Sequence, residues 1–195
     1  MTLTRRLLIG AALISATLLS SPSFAEDPEN TLMIKLKDGT VKIELYPEIA
    51  PKNVERIKQL ALDGAYDGVA FHRVIDGFMA QTGDVEFGNT RKGFDPARAG
   101  TGGSSMPDLP AEFTDKASFD RGVVGMARSR DPNSANSQFF IMFAPAPHLD
   151  GQYTIVGKVV EGMEFVDAIK KGVEAMNGTV DTPDVMESVY VLADN

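Results

Sequence analysis

The chain has 195 residues, 43% hydrophobic and 24% charged, a size and composition that fit one soluble globular domain. Nineteen basic residues against 27 acidic ones leave a formal net charge of −8, which repels phosphate backbones, so nucleic-acid binding is not expected. There is no cysteine, which excludes thiol catalysis, a lipidated Cys anchor and thiolate metal sites, and with only two histidines a histidine-rich metal site is not expected.

Arg5 and Arg6 precede an apolar run from Leu7 to Leu19, and Ser23-Phe24-Ala25 supplies the small residues a signal peptidase needs. A spanning helix requires ~20 apolar residues, so this run is too short for a stable membrane anchor. Residues 1–25 read as a cleaved export signal. Thr4-Arg5-Arg6-Leu7-Leu8 also resembles a twin-arginine signal, but an ordinary secretory n-region is the preferred reading. Both routes lead out of the cytoplasm, to the periplasm or to the medium if the cell has no outer membrane. The remaining domain, 26–195, has 170 residues. It loses two arginines and no acid, so its charge goes from −8 to −10.

Leu32, Ile34 and Leu36 alternate with more polar neighbours, and so do Val41, Ile43 and Leu45 after the turn Asp38-Gly39. This period of two predicts a hairpin. Pro51 then suits a first helical turn, Ala50, Val54, Ile57 and Ala61 recur at helical spacing, and Gly64 ends the run. Short apolar stretches at Val69–Val74, Phe78–Gln81, Gly122–Met126, Gln138–Phe143, Thr154–Val159 and Met186–Leu192 predict further strands. A second helix is expected over Met163–Lys171, with Gly172 as its stop. Many short strands with two helices predict an antiparallel sheet that closes or sandwiches. Residues 83–110 form a long Gly-, Asp- and Pro-rich loop containing Gly100-Thr101-Gly102-Gly103. No Gly-Lys-Ser/Thr follows, so these glycines make turns rather than a phosphate site.

The most informative stretch is Phe71-His72-Arg73-Val74-Ile75-Asp76-Gly77-Phe78-Met79-Ala80-Gln81-Thr82-Gly83-Asp84. It sets one guanidinium among bulky apolar side chains, with an amide three residues beyond Phe78. Ser137-Gln138-Phe139-Phe140-Ile141 repeats the chemistry some sixty residues later. The pocket so described is apolar, has a hydrogen-bonding fork and lacks a nucleophile. It suits a reaction that breaks no covalent bond. Ser137, His148 and Asp150 could be imagined as a hydrolase triad, but their spacing fits no nucleophile elbow. Strand alternation makes Phe71, Phe139 and Ile141 core residues and turns His72 away from Arg73 as a satisfied structural histidine.

The fourteen-residue block resembles the signature of the cyclophilins. Gly100-Thr101-Gly102-Gly103, Gly125-Met126-Ala127, Ser137-Gln138-Phe139-Phe140-Ile141, Leu149-Asp150-Gly151, Val156-Gly157-Lys158-Val159 and Glu161-Gly162-Met163 follow in that family's order. The similarity spans residues 31 to 192. It implies a mainly β fold, a closed eight-stranded antiparallel β-barrel capped by two α-helices. It also implies peptidyl-prolyl cis-trans isomerase activity without a cofactor, on proline-containing chains that are unfolded or newly exported, by a monomer. The rival reading is a module of the same fold that holds proline peptides without turning them over.

The chemistry fits that implication. Delocalisation of the nitrogen lone pair gives a peptide bond a barrier of ~18–20 kcal/mol. In the twisted transition state the lone pair is localised on the prolyl nitrogen, and a donor placed there stabilises the twisted state over both planar ones. Arg73 is the candidate donor, rigid and always charged, and Gln81 can hold the rotating carbonyl or the flanking backbone. Phe78, Met79, Phe140 and Leu149 would form the slot for the ring. The resemblance adds Ala127 and Gln138 along the peptide groove. At three groove positions this chain departs from the pattern of many cyclophilins. It has His148 in place of a Trp, Tyr153 in place of a His and Arg128 in place of an Asn. His148 removes an indole donor and a large apolar face, which predicts isomerase activity without tight cyclosporin binding.

Overall fold

The computed structural model describes residues 27–194; the expected export signal lies outside them. The predicted hairpin forms first. β1 (Thr31–Leu36) and β2 (Gly39–Leu45) pair antiparallel from Leu36↔Gly39 to Thr31↔Glu44, with Leu32, Ile34, Val41 and Ile43 all buried. α1 (Pro51–Leu62) follows, with Pro51 at its start and Gly64 in the left-handed conformation just past its end. Val54, Ile57, Leu60 and Ala61 form its inward face. Ala50 offers no side-chain cap. The Glu112 carboxylate caps the helix from outside, accepting from Lys52 N at 3.2 Å, Asn53 N at 3.0 Å and Asn53 Nδ2 at 2.8 Å. A carboxylate at a helix N-terminus both satisfies free amides and opposes the positive end of the dipole.

The remaining strands are β3 (Arg73–Ile75), β4 (Met79–Thr82), β5 (Val123–Met126), β6 (Phe139–Met142), β7 (Ile155–Glu161) and β8 (Ser188–Val191). All eight belong to one antiparallel sheet in the order β3-β4-β6-β5-β7-β2-β1-β8. The sheet curls into a half-barrel, and no continuous ladder of the described strands joins β3 to β8. Irregular chain spans that side instead: Val74 N donates to Gly178 O, Val180 N to His72 O and Phe71 N to Asp184 O.

Two elements differ from the sequence expectation. The strand expected at Val69–Val74 begins only at Arg73. Val69, Ala70 and Phe71 donate to Tyr66, Gly88 and Asp184 in turn, so they have three different partners and no ladder. The second helix, α2 (Met163–Asp167), stops well before Lys171. Lys170 N donates to the Asp184 carboxylate and Gly172 N to Val74 O, and amides recruited by neighbouring segments cannot continue a helix.

Period-two alternation gives the sheet two apolar faces. Val74, Ala80, Val124, Met126, Phe139 and Ile141 belong to the main core with β1, β2 and α1. Met79, Val123, Phe140, Met142 and Ile155 join Phe119 and Leu149 in a second, smaller cluster. Phe71, Phe139 and Ile141 are core residues, as their positions predict.

Candidate active site

The functional face is one cross-strand row. Arg73 on β3 pairs with Gln81 on β4, Gln81 with Phe140 on β6, and Phe140 with Gly125 on β5. Their side chains therefore emerge side by side on the face of the smaller cluster. Gly125 is required there. A Cβ at this position would lie 2.6 Å from both Phe119 Cε1 and Phe140 Cζ, and its absence lets those rings stack at 5.7 Å.

Arg73 is half-buried and held from both sides. Its Nη1 donates to Gln81 Oε1 at 3.0 Å, its Nε to Asn177 O at 3.1 Å and its Nη2 to Asn177 Oδ1 at 3.0 Å. Among the described residues the second N–H of Nη1 meets only the Met79 sulfur, at 4.0 Å, and that of Nη2 has no partner. Burial lowers its pKa from the ordinary arginine value, partly offset by Tyr153, but an arginine stays charged at any working pH.

The guanidinium also sets the polarity of a hydrogen-bond chain. Because Gln81 Oε1 accepts from Arg73, its Nε2 is left to donate to Gln138 Oε1 at 2.9 Å. Gln138 Nε2 in turn donates to Gly102 O at 2.8 Å. The glycine loop at the end of this chain is stitched down by the fully buried Asp84, whose carboxylate accepts from Glu86 N, Phe87 N, Gly100 N and Gly102 N at 2.7–3.1 Å. The loop is thus a structural wall of the groove.

Beside Arg73 lies an apolar slot of about 180 Å³ lined by Phe78, Met79, Phe140, Leu149, Ala127 and Tyr153, with Arg73, Gln81 and Arg128 at its margins. Tyr153 stands edge-on to Phe140 at 5.8 Å. Gln138 is absent from the slot and lines a second cavity of about 510 Å³, which shares Gln81, Ala127 and Arg128 with the slot. His148 does not reach the slot either. It is exposed and stacks on the outside of Phe78, at 6.0 Å between ring centres. Ser137 is buried and donates to Gly83 O at 2.7 Å, which removes it from any triad.

The chain matches a known family along almost the whole described length. A family model described as "Cyclophilin type peptidyl-prolyl cis-trans isomerase/CLD" matches residues 31–191. The chain belongs to the cyclophilins. It is 66% identical over 170 residues to a probable peptidyl-prolyl cis-trans isomerase of Brucella suis, covering 87% of this chain and 86% of that one. A crystal structure of a Hirschia baltica cyclophilin superposes with a TM-score of 0.72 at 27% identity, over 87% of this chain and 76% of the other. A Cryptosporidium parvum cyclophilin-type isomerase, determined in the presence of the dipeptide Ala-Pro, superposes with a TM-score of 0.68 at 27% identity, over 83% and 98%. The protein is a cyclophilin-type prolyl isomerase.

Two features of this cyclophilin are not legible in its sequence. Asn177 grips Arg73 from 104 positions away. The Asn177-Gly178 pair announces a turn, but nothing local indicates that the turn reaches the guanidinium. His72 lies on the opposite side from Arg73 and is buried, as expected, yet among the described residues neither ring nitrogen has a hydrogen-bond partner, so it is not the satisfied histidine that alternation suggests. Burial drives its pKa down from 6.5 to about 4, against an opposing pull from Asp84 and the Ala70 carbonyl, and Arg73 lowers it further. The Gly100 backbone presses on the ring; a Cβ there would lie 2.9 Å from it. Among the described residues no cluster of three metal-ligating side chains occurs, and no helix is long and apolar enough to cross a membrane.

Proposed function

We propose that Arg73 is the catalytic donor and that Gln81 fixes its aim. The observation that supports this is the pair of weakly used Nη N–H groups beside an apolar slot that contains no acid and no nucleophile. A proline ring seated against Phe78, Met79, Phe140 and Leu149 brings its nitrogen toward the guanidinium. In the planar ground states that nitrogen is a poor acceptor; as the bond twists, its lone pair localises and the hydrogen bond strengthens. Exclusion of water by the slot increases the worth of that bond. The Ala-Pro dipeptide present with the Cryptosporidium relative supports a proline-containing peptide as occupant. The test is the cis-to-trans rate of an X-Pro peptide with wild type and Arg73→Ala. A donor acting only in the transition state is worth about 10²–10³-fold in turnover; equal rates for the two proteins would overturn the role.

We propose further that the enzyme works as a monomer outside the cytoplasm, on proline bonds of newly exported chains. The support is the basic, apolar and small-residue succession of residues 1–25. Amino-terminal sequencing of the protein recovered from cell fractions tests it. A periplasmic protein starting at Glu26 is expected, and a cytoplasmic protein retaining residues 1–25 would overturn it.

A further inference from the structure

Arg128 is the one charged side chain that lines both the proline slot and the larger cavity beside it. Its guanidinium is fixed: Cζ lies 4.4 Å above the centre of the Tyr153 ring, Nε and Nη2 donate to Gln152 O at 3.2 and 2.9 Å, and Nη1 donates to Ser129 O at 2.9 Å. A guanidinium has five N–H groups. These bonds use three, so one N–H on each terminal nitrogen stays uncommitted, the number a carboxylate's two oxygens can accept. Among the described residues no carboxylate pairs with Arg128 or with Arg73. No Asp or Glu lines the slot, and the single acid lining the larger cavity, Asp108, accepts a hydrogen bond from Asn136 Nδ2 at 2.9 Å. A protein of net charge −8 thus carries two fixed, unneutralised guanidinium groups along one groove. Such a local inversion of sign draws in negative charge.

We infer that Arg128 is a specificity-determining residue that selects prolines flanked by an acidic side chain, with the acid seated in the larger cavity against the uncommitted guanidinium N–H groups. The inference rests on the proline occupying the slot beside Arg73. A chain whose proline fills the slot continues over Gln81 and Ala127 into the second cavity, and Arg128 stands at that junction. Stacking on Tyr153 and the three backbone bonds hold the fork in place before substrate arrives, so little freedom is lost on pairing.

The test uses two series of peptides around one proline, with Glu, Gln or Lys placed two residues before it in one series and two residues after it in the other. Both turnover and binding affinity are measured. Wild type is expected to favour Glu over Lys by about three- to tenfold in one series, with Gln between. That ratio is expected to shrink as salt is raised to about 1 M, where screening acts within a few ångströms. Arg128→Asn is expected to bring the ratio to about one. Arg128→Lys is expected to keep its sign at reduced size, because an ammonium lacks the fork. The salt series needs no variant, so a poorly folding substitution does not block the test. A ratio at or below one in both series, or a Glu preference unchanged in Arg128→Asn, would overturn the inference. If a neutral reference peptide is bound but not turned over, the catalytic role of the slot fails, and the affinity ratios still decide the role of Arg128.

Discussion

Asn177 offers a direct test of how much of the arginine's effect is orientation. It is the one non-glycine with positive φ among the described residues, at 54°, and both its backbone and its side-chain oxygen accept from Arg73. Asn177→Gly keeps the left-handed backbone and the carbonyl bond to Nε and removes only Oδ1, which lies 3.0 Å from Nη2. A hydrogen bond to a charged group that is partly open to water is worth about 1–2 kcal/mol. If that bond serves to aim the guanidinium, its loss appears as about a five- to thirtyfold fall in kcat. KM is expected to move little, because the slot and not the arginine supplies most of the contact with the proline. Asn177→Ala loses the same acceptor but, unlike the glycine variant, keeps a Cβ in the left-handed region, at a cost of about 1–2 kcal/mol. The two variants are therefore expected to agree in kcat and to differ in urea midpoint. Peptide isomerisation kinetics, run beside urea unfolding, measure both. A glycine variant with wild-type kcat, or one altered only in KM, would refute the positioning role.

Three other outcomes follow from the same structure. His72 is neutral in the folded state down to about pH 4 but takes up a proton near 6.5 when unfolded, so its contribution to stability is full above pH 6.5 and is lost as pH falls toward 4. The loss amounts to about 2 kcal/mol at pH 5, and His72→Gln is expected to flatten that part of the urea midpoint against pH curve; parallel curves for variant and wild type would contradict it. Glu112→Ala removes the external cap of α1 and is expected to lower stability by about 1–2 kcal/mol, seen as a fall in Tm of roughly 3–8 °C. With exposed His148 stacked outside Phe78 where many cyclophilins have a Trp, isomerase activity is expected to resist cyclosporin, and nanomolar inhibition in the peptide assay would contradict that reading.

Much of this site is legible in the amino-acid sequence because its central pieces are local. Arg73 and Gln81 face each other across a tight β3–β4 hairpin, and alternation alone separates Phe140 from the core residues Phe139 and Ile141. The β1–β2 hairpin and α1 follow from their residues for the same reason: side chains two or four apart share a face whatever the rest of the chain does. The departures have one common cause. α2 does not run on to Lys171 because Asp184 and Val74 take the amides of Lys170 and Gly172, and the segment at Val69–Phe71 gives its amides to three different neighbours. In both cases a distant partner overrides the local pattern.

The pattern of side chains by itself determined that this chain builds a short-stranded antiparallel sheet with an arginine and a glutamine among apolar residues, and the resemblance to the cyclophilins, not spacing, added Gln138 and assigned Phe78 and Met79 to the slot. Spacing and residue type set backbone preference and side-chain direction, and those are properties of neighbours in the chain. Only the tertiary structure decided that Asn177 steers Arg73, that Glu112 caps α1, that His72 is buried without a partner and that Arg128 stands between two cavities with N–H groups to spare. Each of these depends on where the curl of the sheet carries loops dozens of residues apart, and hydrogen bonding and burial respond to distance in space rather than along the chain.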